Sequence, residues 1–199
     1  MAGTLPSPLR GWVECDIGQI LMKRSKQNRR SIRLPDWDYR SVGFYFVTIC
    51  THQRTCLFDD PDLYEVAANA WLHIPEQPHA HHVALDEWVV MPNHIHGIIE
   101  IVTPPTTEDA QADDRPTLQS GSLGAIVGNY KMLVSKRVKA VKRKIESEMK
   151  VWQRGYWERI VRNERELNAI RQYIRDNPLR WSEDRDNLDQ ALDRMTYIS

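Results

Sequence analysis

The 199-residue chain is short of most features that sort a sequence quickly. Its three cysteines, Cys15, Cys50 and Cys56, are odd in number and form no CxxC pair. That disfavours a disulfide framework and a zinc knuckle. No stretch approaches the roughly 20 apolar residues that cross a bilayer. The N-terminal "MAGTLPSPLRGWVECDIGQILMKRSKQNRR" lacks a basic start followed by an apolar segment, so no secretory signal is expected. No internal repeat is visible. Lys plus Arg and Asp plus Glu both total 27, a formal net charge of zero, so the total predicts no partner. Together these absences make a reduced, cytoplasmic protein without membrane contact the default expectation.

What is present is a core. Hydrophobic residues make up 41% of the chain and seven are tryptophan, enough for one substantial domain rather than a disordered segment. Charge is segregated along the sequence. From Leu118 to Arg180 there are about fifteen Lys or Arg against six Asp or Glu, and from Met22 to Arg40 about seven against two. The acids gather in "DDPDLYE", "TTEDAQADD" and "SEDRDNLDQALDR". A chain so divided can offer a basic surface to an anionic polymer despite zero net charge, although a basic helix is often merely solvated.

The stretch "WVVMPNHIHGIIEI", residues 88 to 101, sets two histidines one residue apart in an apolar run. "MPN" is a turn signal between two Val/Ile-rich segments, which predicts a hairpin with a strand ending near Val90 and another starting near His94. Alternation along a strand puts His94 and His96 on one face. Two imidazoles so placed can grip one cation, or be two ordinary half-buried histidines. The cluster His79, His81 and His82 lies in a Pro-containing stretch without nearby Cys and reads as a solvated connection.

"GFYFVTICT" reads as a buried strand, "DDPDLYEVAANAWLHI" as a helix opening on acids and Pro, and "SLGAIVGNYKMLVSKRVKAVKRKI" as a longer, basic helix. "TPPTTEDAQADDRPTLQSGS" is a loop, "VWQRGYWERIV" returns to strand character, and "NERELNAIRQYIRDN" is a last helix before Pro178. The order is the ferredoxin-like βαββαβ plan plus one helix. The expected fold class is therefore α+β, an antiparallel sheet with two helices behind and one face open. In the last helix Asn163 is a plausible N-cap with Glu166 in capping-box position. Leu167, Ile170 and Ile174 form its apolar stripe, Tyr173 lies at the stripe's edge, and Asn177 follows on Tyr173's side one turn later. Pro178 disfavours α conformation at Asn177. Tyr130 and Tyr156 are alternative phenols; Tyr156, between Gly155 and Trp157, suits packing or base stacking.

"LPDWDYRSVGFYFVTICTHQRTCLF", "VVMPNHIHGII", "NYKMLVSKRV" and "VWQRGYWERIVRNERELNAIRQYIRDNP" together resemble the single-tyrosine HUH transposases, specifically their REP-associated branch. The resemblance spans roughly Ser31 to Trp181, with the motifs in the family's order. It implies that His94 and His96 bind a divalent metal, that Asn177 completes the ligand set, and that Tyr173 attacks a single-stranded DNA phosphate. It implies DNA hairpins of repeat elements as substrate and a homodimer, whose site could form within one subunit or across two.

The chemistry suits these residues. Three neutral ligands leave the charge of Mg²⁺ or Mn²⁺ free to polarise a phosphate oxygen. A phenol with pKa about 10 makes a phosphodiester that a 3′-hydroxyl can reopen. Sequence-blind phosphate contacts are expected from Arg29, Arg30 and Arg33 in the basic arm. Further contacts are expected from Lys131, Lys136, Arg137, Lys139, Lys142 and Arg143 in and after the basic helix. The expected organisation is a basic arm over 1–30, a catalytic domain over 31–181 and an acidic tail over 182–199. Two other classes stay open on the residues alone: a non-catalytic ferredoxin-like module that holds structured single-stranded DNA or RNA, and a metal-dependent phosphoesterase of small substrates.

Overall fold

A computed structural model describes residues 37–105, 119–142 and 149–181. Strand β1, Gly43–Cys50, carries the aromatic and β-branched run GFYFVTIC. Helix α1, Pro61–Leu72, starts where the Asp60 carboxylate accepts from the backbone N–H of Asp62 and Leu63, with Pro61 in the first turn; proline costs nothing there because that N–H has no helical partner. Strands β2, Val83–Met91, and β3, His94–Ile101, flank the Pro92–Asn93 turn. Helix α2, Leu123–Val141, is capped by Ser122. After β4, Trp157–Val161, comes α3, Glu164–Asp176, whose Asn163 cap accepts from Glu166 N–H.

The four strands are antiparallel in the order β2-β3-β1-β4, the ferredoxin-like arrangement expected of the α+β class. Alternation divides the strands between two layers. Tyr45, Val47 and Ile49 of β1, with Ile95, Ile99 and Ile101 of β3, meet Leu63, Ala67 and Trp71 of α1 and Ile126, Tyr130 and Val134 of α2 in the main core. Phe46 and Ile98 point the other way and pack beneath Leu167, Ile170 and Ile174 of α3.

That second cluster corrects one expectation. The sheet face anticipated as open is covered by α3, because its apolar stripe needs a surface and the only sheet face not taken by α1 and α2 is this one. Two smaller expectations also change. Of "VWQRGYWERIV" only Trp157–Val161 is strand, Trp152 reaching the sheet by a single bridge to Thr51. His82 is not solvated: it is 5% exposed and its Nε2 lies 2.8 Å from the Gly121 carbonyl, latching the connection before β2 to the start of α2. The expected arm over 1–30 and tail over 182–199 lie outside the described residues, as do Arg29, Arg30, Arg33 and Arg143. Among the described residues no helix is long and apolar enough to cross a membrane.

Gly97 shows how tightly the layers meet. It follows His96 on β3 but faces α1, and a Cβ there would sit 2.2 Å from Cζ2 of the fully buried Trp71. Gly97→Ala should therefore overpack the core and cost about 1–3 kcal/mol, lowering the melting temperature by several degrees in a thermal scan. An unchanged midpoint would show that Trp71 yields freely.

Candidate active site

The β3 register brings the histidines together as alternation requires. His94 and His96 face α3, with Nε2 of one 3.0 Å from Nε2 of the other. Each outer nitrogen has a partner. His94 Nδ1 lies 2.6 Å from Asn93 Oδ1, and His96 Nδ1 lies 2.9 Å from Oγ1 of Thr48, its register partner on β1. An amide oxygen can only accept, so His94 carries its proton on Nδ1 and presents a lone pair at Nε2. The threonine hydroxyl can donate or accept and so suits either tautomer of His96. Burial pushes the His94 pKa down to about 3, with the Arg54 charge adding to it. Burial, then the charge on His94, pushes His96 well below the ordinary range. Both rings are neutral at neutral pH, the state in which imidazole binds a metal.

Spacing agrees with a shared cation. Two adjacent ligands at right angles, each about 2.1 Å from an octahedral ion, lie about 3.0 Å apart, the separation found here. Among the described residues no group of three or more His, Cys, Asp or Glu gathers, so a cation at this point would rely on the imidazoles and neutral oxygens. Asn177 is the neutral oxygen that the resemblance assigns to that role. It is buried, 1% exposed, in the turn that follows α3. The expected conflict with Pro178 does not arise: Asn177 is α-helical (φ −56°, ψ −44°) and its N–H donates to the Ile174 carbonyl. The chain continues directly into the 3-10 turn Asn177–Arg180, with Pro178 in its first turn. Trp181, at the end of that turn, stands 6.1 Å from the His94 ring.

Tyr173 arrives from α3. Its ring meets Phe46 edge-on at 6.1 Å and His96 at 5.3 Å, and its hydroxyl is 3.4 Å from His96 Nε2. The phenol and the histidine pair thus meet within a single chain. The other tyrosines are elsewhere. Tyr130 is buried in the opposite layer, donates to the Ala67 carbonyl, and is pushed well above pKa 10 by burial; Tyr156 packs against the main core.

A pair of ionic tethers fixes the roll of α3. At about 100° per residue, Arg171 and Arg175 fall on one flank of the apolar stripe, and Glu166, Tyr173 and Asn177 on the other. Arg171 forks onto Asp86 at 2.9 and 2.6 Å, and Arg175 donates to Glu87 at 2.9 Å. Asp86 and Glu87 are consecutive on β2 and would normally face opposite ways. They occupy a bulge, the register jumping from Leu85↔Ile99 to Trp88↔Gly97, which lets both carboxylates reach one helix. On the other flank Arg159 of β4 donates to Glu166. The helix is held from β2 and β4, the two outer strands.

The basic residues are dispersed. Lys136, Arg137 and Lys139 are exposed on α2, in the layer behind the sheet from the histidines. Lys142 pairs with Asp60 at 2.7 Å. Lys131 donates to the carbonyls of Gln153 and Gly155, which gives it a structural task in holding the connection before β4. Thr48, Asp86 and Glu87 have no marker in the sequence; only pairing register and the bulge reveal them.

No family model matches the chain. Two solved structures resemble it weakly. One is a REP-associated tyrosine transposase bound to a REP hairpin, at TM-score 0.45 and 20% identity over 79% of this chain and 74% of that one. The other, described as a candidate transposase of Deinococcus radiodurans, gives TM-score 0.43 and 15% identity over 72% of this chain and 95% of that one. Likeness of that degree carries no argument about activity. A protein of Haemophilus influenzae described as uncharacterized is 38% identical over 173 residues, covering 79% of this chain and 92% of its own.

Asp86→Asn should loosen α3 selectively. The Arg171 guanidinium holds the Asp86 carboxyl below its ordinary range, so its contribution is present above the unfolded pKa of about 3.9 and lost as pH falls through the lower folded value. For a partly exposed pair a loss of about 1 kcal/mol is expected, read as roughly five-fold faster amide exchange across Glu164–Asp176 with β1 and β3 unchanged. Equal exchange in α3 would show the tether to be idle.

At that identity and coverage, the chain belongs to the same family as the Haemophilus influenzae protein.

Proposed function

We propose that the chain is a metal-dependent single-stranded DNA transesterase of the transposase type, working through a tyrosine nucleophile. The observation that carries this reading is the Tyr173 hydroxyl, 3.4 Å from a histidine nitrogen that is itself 3.0 Å from a second. A packing tyrosine has no need to turn its hydroxyl to a buried, neutral histidine pair. His94 and His96 would hold Mg²⁺ or Mn²⁺, with Asn177 as the third protein ligand. The ion would supply positive charge to a non-bridging phosphate oxygen as charge gathers there.

The chain's own groups do the rest. Tyr173 Oη attacks the phosphorus of a single strand, losing its proton as the P–Oη bond forms. The P–O3′ bond breaks, the departing oxygen takes up a proton, and a free 3′-hydroxyl is released. The 5′-phosphoryl end stays on Tyr173, and attack by a 3′-hydroxyl reverses the step. Because the phenol and histidines meet in one chain, assembly of this site does not require the homodimer that the resemblance implies. The hairpin substrate also comes from the resemblance. Exposed Lys136, Arg137 and Lys139 would meet DNA away from the scissile phosphate, so their contribution should be salt-sensitive and sequence-blind.

A labelled hairpin oligonucleotide incubated with Mn²⁺ should give a covalent adduct that survives a denaturing gel. Tyr173→Phe should abolish the adduct while hairpin affinity stays within about two-fold. A Phe variant that still forms it, or a wild-type chain that only shifts the hairpin without bonding to it, overturns the reading, the latter outcome favouring a binding module. Thr48→Val keeps the side chain's shape and removes the hydroxyl behind His96. Mn²⁺ affinity by calorimetry should fall about ten-fold; no change would detach Thr48 from the ligand set.

A further inference from the structure

Beyond β1 the chain makes a turn that packing alone does not explain. Gln53 (φ 54°, ψ 20°) and Arg54 (φ 55°) both adopt left-handed backbone. Neither is glycine, and two such residues in succession persist only where the surroundings hold them. They are held. Thr51 donates through its N–H and its hydroxyl to the Asn93 carbonyl, and Phe58 N–H donates to the Pro92 carbonyl. The Thr51 hydroxyl also reaches the Thr55 carbonyl, closing the turn over Gln53 and Arg54. The turn is therefore stapled to Pro92 and Asn93, the two residues that deliver His94.

The strain buys the placement of one cation. Arg54 is half-buried, its charge acts on His94, and among the described residues no carboxylate pairs with it. A half-buried guanidinium on a turn bonded to the residues before His94, without a carboxylate partner among the described residues, is free to bind an anion. Its planar fork matches a phosphodiester's two non-bridging oxygens.

We infer that Arg54 is a phosphate-binding catalytic residue of this site, its guanidinium holding a non-bridging oxygen of the phosphate that Tyr173 attacks. This rests on the proposed transesterase reading for its catalytic half and on the turn alone for its phosphate-binding half. The turn that carries Arg54 is bonded to the residues just before His94, so the guanidinium and the histidine pair would meet the same phosphate.

The test uses the full chain. Arg54→Asn removes the charge with a residue that tolerates left-handed backbone, so the turn and the melting temperature should survive. With a hairpin oligonucleotide and Mn²⁺, its single-turnover rate of adduct formation should fall about a hundred-fold. Hairpin affinity should change less than about three-fold, because one phosphate contact among many is lost. Arg54→Lys should recover at least a tenth of the rate. In a parallel arm, the Arg54 Nε–H resonance of the Tyr173→Phe chain is followed by NMR as inorganic phosphate is added; a saturable shift is expected. If the wild type forms no adduct but this shift appears, the transesterase reading fails while the phosphate site stands. An Arg54→Asn chain that cleaves at the wild-type rate, a Lys variant no faster than the Asn variant, or an Arg54 resonance unmoved by phosphate overturns the inference.

Discussion

The candidate site depends on one docking event, the seating of α3 on the sheet face that α1 and α2 leave uncovered. Three apolar residues, Leu167, Ile170 and Ile174, supply the adhesion over Phe46 and Ile98. Apolar contact is non-directional and would tolerate some rolling of a cylinder on a flat surface. Rolling is what the phenol cannot tolerate, since about 20° of rotation at the radius of a tyrosine hydroxyl moves it by roughly 2–3 Å. The charged groups on both flanks remove that freedom. Adhesion comes from the stripe and orientation from the ion pairs.

Much of the architecture was legible because the relevant signals are local. Val/Ile runs around a Pro-Asn turn, a proline and acids opening α1, and Asn163 ahead of Glu166 each determine structure within a few residues. The pairing of His94 with His96 follows from strand alternation alone. What the sequence concealed is long-range. Nothing near Asp86 and Glu87 marks a bulge, which exists only against the spacing of β3. Thr48 becomes a histidine partner only through a register joining residues 48 apart in the chain. Composition counts charges without direction, so the sequence did not show that Lys131 turns to backbone carbonyls and Lys142 to Asp60, while the helix's three exposed cations lie behind the sheet. The α3 stripe was legible, but not that it would close the face expected to be open.

The surroundings of the histidines divide their labour. Asn93 can only accept through its oxygen, so His94 has one tautomer and a permanent lone pair at Nε2. Thr48 imposes no such choice, leaving His96 able to place its proton on either nitrogen. The pair therefore has one fixed and one adaptable member.

Gly97 carries a consequence for how such a chain can change over generations. Its missing side chain is occupied space, filled by the indole of Trp71 from the far side of the sheet. A lineage that replaced the glycine first would pay in folding before any benefit could appear; one that first shrank the tryptophan would open a void and could then fill it from position 97. Only the second route is gradual, so the residue beside His96 is guarded by a neighbour with no part in the chemistry, and the order of substitution, not merely their identity, limits which descendants are reachable.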